Sequence, residues 1–201
     1  MTRRFCGTQR FPLSSESPSL TISIRANFST GLHVVLYSPL KSSPVGDLLL
    51  AADETGLRSI QFLPAPPASQ SSVLPADGEF NDRALKDARE QLLAYFQRRL
   101  RSFQLPLAPI GTQFQSAVWN ALQQVPWGHT ASYSQIASAV GNPRACRAVG
   151  LANGRNPIPI IIPCHRIIGS SQRLVGYAGG LHRKRTLLAI EGQTQLFELN
   201  K

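Results

Sequence analysis

A cysteine, a histidine and an arginine stand next to each other at Cys164, His165 and Arg166, directly after the apolar stretch 157–163. A free thiol has a pKa of about 8.5 and is only slightly ionised at neutral pH, so a nucleophilic cysteine needs a base or a cation beside it. Adjacent side chains of an extended strand point to opposite faces. This chemistry therefore requires the chain to turn at Cys164. The alternative is a buried cysteine that only packs.

Three consecutive isoleucines, residues 160–162, lie between prolines in the approach to the cysteine. Isoleucine favours strands, and the flanking prolines cannot donate the hydrogen bonds of a complete ladder. The pattern predicts a short buried strand that ends at Cys164.

The other two cysteines, Cys6 and Cys146, are far from Cys164 in the sequence, and no C-x-x-C pair occurs. An odd number of widely spaced cysteines predicts neither a disulfide framework nor a structural zinc cluster. A reducing compartment fits this usage. Cys146 falls on the apolar face of a predicted helix, where packing is the simplest role.

Thr112 and Ser132 carry helix-start signals in the segment before Cys164. Thr112 can cap a helix that stops before Pro126. Ser132 stands three residues before Gln135, which is the spacing of a capping box and predicts a short second helix.

A third helix of this segment is predicted from Asn142, which precedes a proline, to Asn153, which precedes a glycine. The second and third helices together have the size of a helix-turn-helix. The third carries Arg144 and Arg147 in its first turns and no acid. It also carries small residues that permit a close approach: Ala145, Ala148, Gly150 and Ala152. Such a helix can enter a nucleic-acid groove; the alternative is a packing helix with incidental arginines.

The first half of the chain favours strands. Three runs are rich in β-forming residues: 33–37, 47–52 and 57–63. Residues 54–56 provide a turn between the last two. We expect a small antiparallel sheet here.

A loop and a helix follow the predicted sheet. Residues 64–75 are rich in proline, alanine and serine and predict a loop. Apolar residues then recur at helical spacing from Leu85 to Phe96, behind a cap at Asn81 or Asp82.

These elements divide the chain into four parts. Residues 1–30 lack apolar periodicity and are predicted to be a disordered arm, 31–107 an α/β domain, 108–192 a mainly helical domain, and 193–201 a tail. The predicted fold class is α/β. A small N-terminal antiparallel sheet with a helix precedes a C-terminal domain with a winged-helix-like helix-turn-helix.

The positive charge is concentrated in the second half. The formal net charge is +10; residues 1–110 hold 12 basic and 9 acidic side chains, against 9 basic and 2 acidic in residues 111–201. A basic surface attracts polyanions, nucleic acid first and anionic membrane second. The alternative is that the excess positive charge only maintains solubility. Apolar runs such as 48–52 and 160–162 are far too short to cross a bilayer, which excludes a membrane span.

Residues 111–192 resemble the active-site domain of the O6-alkylguanine-DNA alkyltransferases, the methylated-DNA–protein-cysteine methyltransferases. The resemblance rests on a series of blocks in one order: 111–115 with 118–119, 126–128, 132–133, 141–150, 156–157, 162–166, 176–180 and 191–192. The first 110 residues match the family only loosely, chiefly at 44–52 and near Leu92.

The resemblance implies a methyltransferase that repairs O6-alkylguanine in DNA by irreversible alkyl transfer, once per protein molecule. Cys164 would be the nucleophile and would keep the alkyl group as a thioether. His165 would act as base through a water molecule, and Glu191 behind it would stabilise the imidazolium. Tyr133 would donate a proton to the leaving base, and Asn156 would order the turn before the cysteine. Activity on O4-alkylthymine is left open.

A base stacked in a duplex must be flipped into a pocket before this chemistry can occur. The resemblance implies that Arg147 fills the vacated space. The other DNA-contacting residues would be Arg144, Ala148, Gly150 and Tyr133. The loop over the flipped guanine would consist of Val175, Gly176, Tyr177, Ala178 and Gly179.

No cofactor motif occurs in the chain, and no cofactor is expected. Some relatives bind zinc in the N-terminal domain through Cys and His, but the loosely aligned strand has Ala51 and Ala52 here, and Cys6 lies in the predicted arm. We therefore expect no metal site. The expected partner is alkylated double-stranded DNA, and no membrane is expected to take part. We expect the protein to act as a monomer, in the cytoplasm of a bacterium or in the nucleus of a eukaryote.

Two other function classes fit part of the sequence. A non-catalytic DNA-damage recognition protein would bind alkylated duplex without removing the alkyl group, and the presence of Cys164 argues against it. A cysteine hydrolase using Cys164 and His165 would turn over through a transient acyl adduct.

Overall fold

The computed structural model describes residues 35–64, 79–170 and 173–193. Several predictions from the sequence fall outside these ranges. They are the disordered arm with Cys6, the start of the first strand, residues 65–75 of the loop, and residues 194–201 of the tail.

A four-stranded sheet with the order β3-β2-β1-β4 forms the N-terminal half. Strands β1 (Leu36–Leu40), β2 (Leu48–Asp53) and β3 (Gly56–Phe62) are antiparallel neighbours, as predicted. A fourth strand, β4 (Glu79–Phe80), pairs in parallel with β1 and was not predicted from the sequence. Two residues are too short for the alternation by which a sequence reveals a strand.

Helix α1 (Lys86–Phe96) follows the sheet. Its buried residues are Ala88, Leu92 and Tyr95. The predicted cap at Asn81 or Asp82 was wrong, because Leu85 is the N-cap residue and makes no side-chain cap hydrogen bond. The side chain of Asn81 instead accepts from the backbone N–H of Ala84 (2.9 Å) in a turn that precedes the helix.

The described residues of the C-terminal half include four α-helices and a short strand pair. The helices are α2 (Gln113–Gln123), α3 (Tyr133–Ala139), α4 (Cys146–Gly154) and α5 (Leu181–Ile190). Strand β5 (Ala131–Ser132) pairs in parallel with β6 (Ile167–Ile168). The predicted cap at Thr112 and the predicted capping box of Ser132 and Gln135 are confirmed.

Helix α4 begins later than the sequence indicated. Residues 142–145 form a separate turn, in which the N–H of Ala145 donates to the carbonyl of Asn142 (2.9 Å). Arg144 therefore precedes the helix, and Arg147 alone of the two arginines lies in its first turn. The helix also includes Gly154, which was predicted to end it. Helices α3 and α4 pack against each other and against α2, in the order of a helix-turn-helix.

The chain before Cys164 turns instead of forming the predicted strand. The N–H of Ile162 donates to the carbonyl of Ile158 (3.0 Å), and Ile160 has a φ of +77°, which β-branched residues rarely adopt. Residues 158–162 are all buried. A short apolar run does not distinguish a buried strand from a buried turn, and this ambiguity caused the error.

One hydrophobic core joins the two halves. It includes Leu50 of the sheet, Leu92 of α1, Trp119 of α2 and Ile162 of the cysteine approach. The N–H of Ile60 in β3 also donates to the carbonyl of Pro157 (2.9 Å). The segment that leads to Cys164 is therefore held against the N-terminal sheet. Within the described residues, no helix has both the length and the apolar character to cross a membrane.

Gly56, at the start of β3, lies where this strand closely approaches the chain near Pro106. It has a φ of +140°, and a Cβ built there would lie 2.4 Å from the carbonyl oxygen of Pro106, which accepts from the N–H of Leu57. Gly56→Ala is expected to lower the free energy of unfolding by roughly 2–4 kcal/mol, measured by urea denaturation. Gly154→Ala, at an open helical position, is the control and should be neutral or stabilising by up to about 1 kcal/mol. Equal losses in both variants would contradict the prediction.

Candidate active site

Cys164 opens a 3₁₀ turn that spans Cys164–Arg166. The N–H of Cys164 donates to the carbonyl of Ile162 (2.8 Å), and the N–H of Arg166 donates to that of Pro163 (3.0 Å). The sequence required a turn at this point, and the structure has one. Because the chain turns, the three consecutive side chains of Cys164, His165 and Arg166 can all serve one buried site.

Asn156 braces the turn that comes before the cysteine. Its Nδ2 donates to the carbonyl of Ile162 (2.8 Å), and its Oδ1 accepts from the N–H of Ile158 (3.0 Å). One amide side chain thus satisfies two backbone groups of a segment that lacks a strand ladder. Cys164 is 4% exposed.

His165 and Glu191 form a fully buried pair. The Nε2 of His165 lies 2.9 Å from Oε1 of Glu191, and neither side chain is accessible to solvent. The Nδ1 of His165 has no hydrogen-bond partner within the part of the chain that the structure describes. A carboxylate at Nε2 favours the tautomer with the proton on that nitrogen. This leaves the Nδ1 lone pair available to accept a proton.

The carboxylate of Glu191 accepts from several further donors. It is the C-cap residue of α5, and the Nε and Nη2 of Arg166 each approach it to 2.9 Å. The hydroxyl of Tyr95 in α1 donates to Oε1 (2.8 Å), and the N–H of Gly128 approaches Oε2 (3.4 Å). Arg166 is itself fixed by donating from Nη1 to the carbonyl of Val125 (2.6 Å).

The surroundings set the charges of the three central groups. Burial opposes the charge of Glu191, but hydrogen bonds and charges from His165 and Arg166 outweigh it and lower its pKa from 4.5 to about 2. Burial lowers the pKa of His165, even though Glu191 acts in the opposite direction. Burial likewise raises the pKa of Cys164. At neutral pH the site therefore holds an ionised carboxylate, a neutral imidazole and a neutral thiol.

Two tyrosines lie close enough to Cys164 to respond to its charge. Burial raises the pKa of Tyr133 and of Tyr177, and the negative charge of a Cys164 thiolate raises both further. The buried hydroxyl of Tyr177 lies near the Cys164 sulfur, and hydrogen bonding between the two side chains also raises the pKa of Tyr177. Both hydroxyls consequently keep their protons near the sulfur and can serve as donors.

Lys184 of α5 is a buried cation near the site. Its Nζ donates to the carbonyl of Ile167 and to that of Val175 (2.9 Å). Burial lowers the pKa of Lys184 to about 8, and a negative charge on Cys164 would act in the opposite direction. The lysine therefore ties the predicted guanine loop to β6.

The predicted guanine loop, 175–179, is fixed at its far end and open in its middle. Val175, Gly176 and Ala178 are exposed. A Cβ at the buried Gly179 would lie 2.7 Å from the ring of Phe62 in β3. Arg183 donates to the carbonyl of Gly179 (2.9 Å) and to that of Val45 (2.7 Å). The N-terminal sheet and its β1–β2 turn thus hold the end of this loop.

The predicted DNA-contacting residues lie mainly at the surface. Arg144, Arg147 and Ala148 are exposed. A Cβ at the half-buried Gly150 would be 3.8 Å from the ring of Tyr133, which places the two elements side by side. Residues 131–155 contain no acid. The exposed side of α4 is therefore positive.

The N-terminal sheet has two alanines in the strand that was compared with the zinc-binding strand of some relatives. Ala51 and Ala52 are buried in β2. Among the described residues, no group of three or more His, Cys, Asp or Glu side chains could hold a metal ion. Cys6 lies outside these residues, and the lack of a metal stays a prediction.

Comparison with known proteins places the chain in a family. The profile of the 6-O-methylguanine DNA methyltransferase DNA binding domain matches residues 113–193, and that of the ribonuclease-like domain of the same proteins matches residues 35–109. The methylated-DNA–protein-cysteine methyltransferase of Methanosarcina acetivorans is 48% identical over 157 residues, which cover 78% of this chain and 99% of that protein. This chain belongs to the 6-O-methylguanine DNA methyltransferase family.

Solved structures of this methyltransferase family have the same fold. The O6-methylguanine methyltransferase of Mycobacterium tuberculosis matches with a TM-score of 0.69 and 44% identity, over 79% of this chain and 93% of that one. A structure of the Mycobacterium tuberculosis protein in complex with DNA matches with a TM-score of 0.69 and 42% identity, over 81% of this chain and 99% of that one.

Three residues of the candidate site were not predicted from the sequence. Arg166 was noted beside Cys164 without a part in the relay, and Tyr95 and Lys184 were not singled out. A signal existed for the last two: Tyr95 follows Leu92 by three residues on the buried side of α1, and Lys184 precedes Leu187 by three in α5. A polar side chain on an apolar face needs a buried partner, but the sequence does not reveal which one.

Glu191→Gln is expected to make the free energy of unfolding depend less on pH in the acid range. The folded-state pKa of Glu191 is about 2 and its ordinary value is 4.5, so its contribution is complete above pH 4.5 and is lost as the pH falls towards 2. The free energy of unfolding should fall more in the wild type than in the variant, by on the order of 2 kcal/mol between about pH 7 and pH 3. Urea denaturation at several pH values measures this difference.

Glu90→Gln is the matched control for Glu191→Gln. Glu90 is an exposed carboxylate of α1 that forms an ion pair with the exposed Lys86 (3.8 Å), so the control should keep the wild-type profile. Parallel profiles for the wild type and Glu191→Gln would show that Glu191 is not a stabilising buried charge.

Proposed function

We propose that this protein repairs O6-alkylguanine in DNA by transferring the alkyl group to Cys164. The observation that carries the proposal is the buried Glu191–His165 pair, whose unpartnered Nδ1 belongs to the residue next to Cys164. The relatives named methylated-DNA–protein-cysteine methyltransferases, at close to half sequence identity, support it.

The reaction begins with the proton of the Cys164 thiol. A water molecule carries it to Nδ1 of His165, because the thiol and the imidazole form no direct hydrogen bond in the structure. The thiolate attacks the alkyl carbon; the carbon–sulfur bond forms as the bond from that carbon to guanine O6 breaks, and its electron pair goes to the guanine. Tyr133 donates a proton to the departing base and, once the guanine has left, regains one from the His165 imidazolium through water. The alkyl group remains as a thioether.

Glu191 stabilises the charge that this proton transfer creates. Its pKa of about 2 means that it does not take the proton from the imidazolium. It stays negative while His165 becomes positive, which lowers the cost of forming the thiolate in a buried site. The proton therefore stays on the imidazole.

Double-stranded DNA is the proposed substrate, and a single chain acts on it. The basic surface at α4, to which the exposed Arg144 and Arg147 contribute, binds the phosphates without reading the sequence. Arg147, exposed near the start of α4, fills the space of the flipped base. The exposed part of the guanine loop, which includes Val175 and Gly176, then covers that base. Activity on O4-alkylthymine and the cellular location stay open predictions.

Cys164→Ser should abolish alkyl transfer and leave DNA binding within about twofold, because the arginines that face the phosphates are separate from the sulfur. Incubation of the wild type with an O6-methylguanine duplex should add one methyl mass per protein, on the peptide that contains Cys164. Intact and peptide mass spectrometry measure this. Turnover beyond one methyl group, as in a hydrolase, or a mass on Cys146 would contradict the proposal. Binding of the duplex by the wild type without transfer would indicate a recognition protein.

Arg147→Ala should slow repair of the duplex by at least about tenfold and change reaction with free O6-benzylguanine by less than about twofold, because the duplex substrate alone requires base flipping. Single-turnover rates with the two substrates provide the comparison. Arg101→Ala removes an equally exposed arginine from the N-terminal half and is the control. Equal slowing on both substrates would assign Arg147 to folding or to general catalysis.

A further inference from the structure

Tyr95 brings the N-terminal half of the chain into contact with the buried relay. It lies near the end of α1, 96 residues before Glu191, and is completely buried. Its ring packs against Phe103 and Trp127, with centroid distances of 5.3 and 5.0 Å. The aromatic packing fixes the ring, and the hydroxyl lies towards Glu191 and His165.

The hydroxyl of Tyr95 reaches both members of the pair at once. It donates to Oε1 of Glu191 (2.8 Å), the oxygen that accepts from Nε2 of His165 (2.9 Å). The distance from the tyrosine oxygen to that Nε2 is 3.4 Å. Burial and the charge of Glu191 raise the pKa of Tyr95 well above its ordinary value, so it remains a neutral donor.

We propose that Tyr95 is a positioning residue for alkyl transfer: its hydroxyl holds the carboxylate of Glu191 in the orientation that directs His165 towards Cys164. The inference rests on the proposed function. His165 and Arg166 lower the pKa of Glu191 and keep it ionised, whereas Tyr95 adds a donor from a different part of the chain. The geometry of the relay thereby depends on how α1 docks against α5.

The same hydrogen bond limits the basicity of His165. A carboxylate oxygen that already accepts from a hydroxyl attracts the imidazolium proton less strongly. The charges acting on His165 in the described structure are Glu191, which favours its protonated form, and Arg166 and Lys184, which disfavour it. Loss of the tyrosine hydroxyl leaves these three in place. Its removal should therefore raise the pKa of His165.

Tyr95→Phe removes the oxygen and keeps the ring. The variant should transfer alkyl groups about tenfold more slowly at the plateau of the pH–rate profile, because Glu191 and the imidazole are less well oriented. The acid limb of that profile should move to higher pH by about half a unit, following the raised pKa of His165. Single-turnover rates with an O6-methylguanine duplex between about pH 5 and pH 8 measure both effects.

Tyr37→Phe is the matched control. Tyr37 lies in β1 and packs in a separate apolar cluster with Leu49 and Ala51, so its variant should keep the wild-type profile. Thermal denaturation of both variants shows whether a rate loss comes from unfolding. A Tyr95→Phe protein with the wild-type plateau and acid limb, or with a rate loss that matches its unfolded fraction, would overturn the inference.

Nitrogen-15 NMR titration of the His165 side chain separates this inference from the proposed function. It reports the tautomer and the pKa of the imidazole without any substrate. A higher pKa in Tyr95→Phe than in the wild type supports the inference even for a protein that transfers no alkyl group, and an unchanged pKa with an unchanged tautomer contradicts it. Failure of the proposed function appears instead as a wild type that leaves Cys164 unmodified.

Discussion

A single negative charge enclosed in the interior organises this structure. The carboxylate of Glu191 has no access to solvent, and an unpaired ion in such a place is very unfavourable. Its partners come from different parts of the chain: Tyr95 from α1, Gly128 from the turn after α2, and His165 with Arg166 from the 3₁₀ turn. Each of these elements must therefore dock correctly for the charge to be satisfied. The docking that satisfies the charge also fixes the imidazole of His165, the residue that follows Cys164 in the 3₁₀ turn.

The N-terminal half contributes to the site although it carries neither the thiol nor the base. Its sheet supports the cysteine approach through the hydrogen bond from Ile60 to Pro157. It supports the guanine loop through the packing of Phe62 against Gly179 and Tyr177. The shared core continues between the halves without interruption. The boundary that the sequence suggested near residue 108 is a change of architecture, and the site depends on contacts across it.

The parts of the fold that could be predicted from sequence are those with local physical signals. Thr112 and Ser132 are correct caps because a capping box involves residues three apart. The strand predicted for the isoleucines before Cys164 was wrong because burial alone does not distinguish a strand from a turn. Ile160 also adopts a backbone conformation that β-branched residues disfavour. Tyr95 could not be linked to Glu191 because their contact joins positions 96 residues apart. Local patterns carry no information about such a pairing.

The chemistry of the site is consistent with a thiol that is used once. Burial raises the pKa of Cys164 and keeps it neutral, which protects it from electrophiles in solution because the thiolate is the reactive form. The imidazole of the next residue is neutral for the same reason, since burial lowers the pKa of His165. Proton transfer between two such groups creates an ion pair, and the fixed carboxylate of Glu191 compensates the positive member. The thiolate gains its own stabilisation from groups already in place, because hydrogen bonds from Asn156 and Tyr177 and the charge of Lys184 act to lower the pKa of Cys164. A substrate that positions an alkyl carbon at the sulfur can use that thiolate before the proton returns.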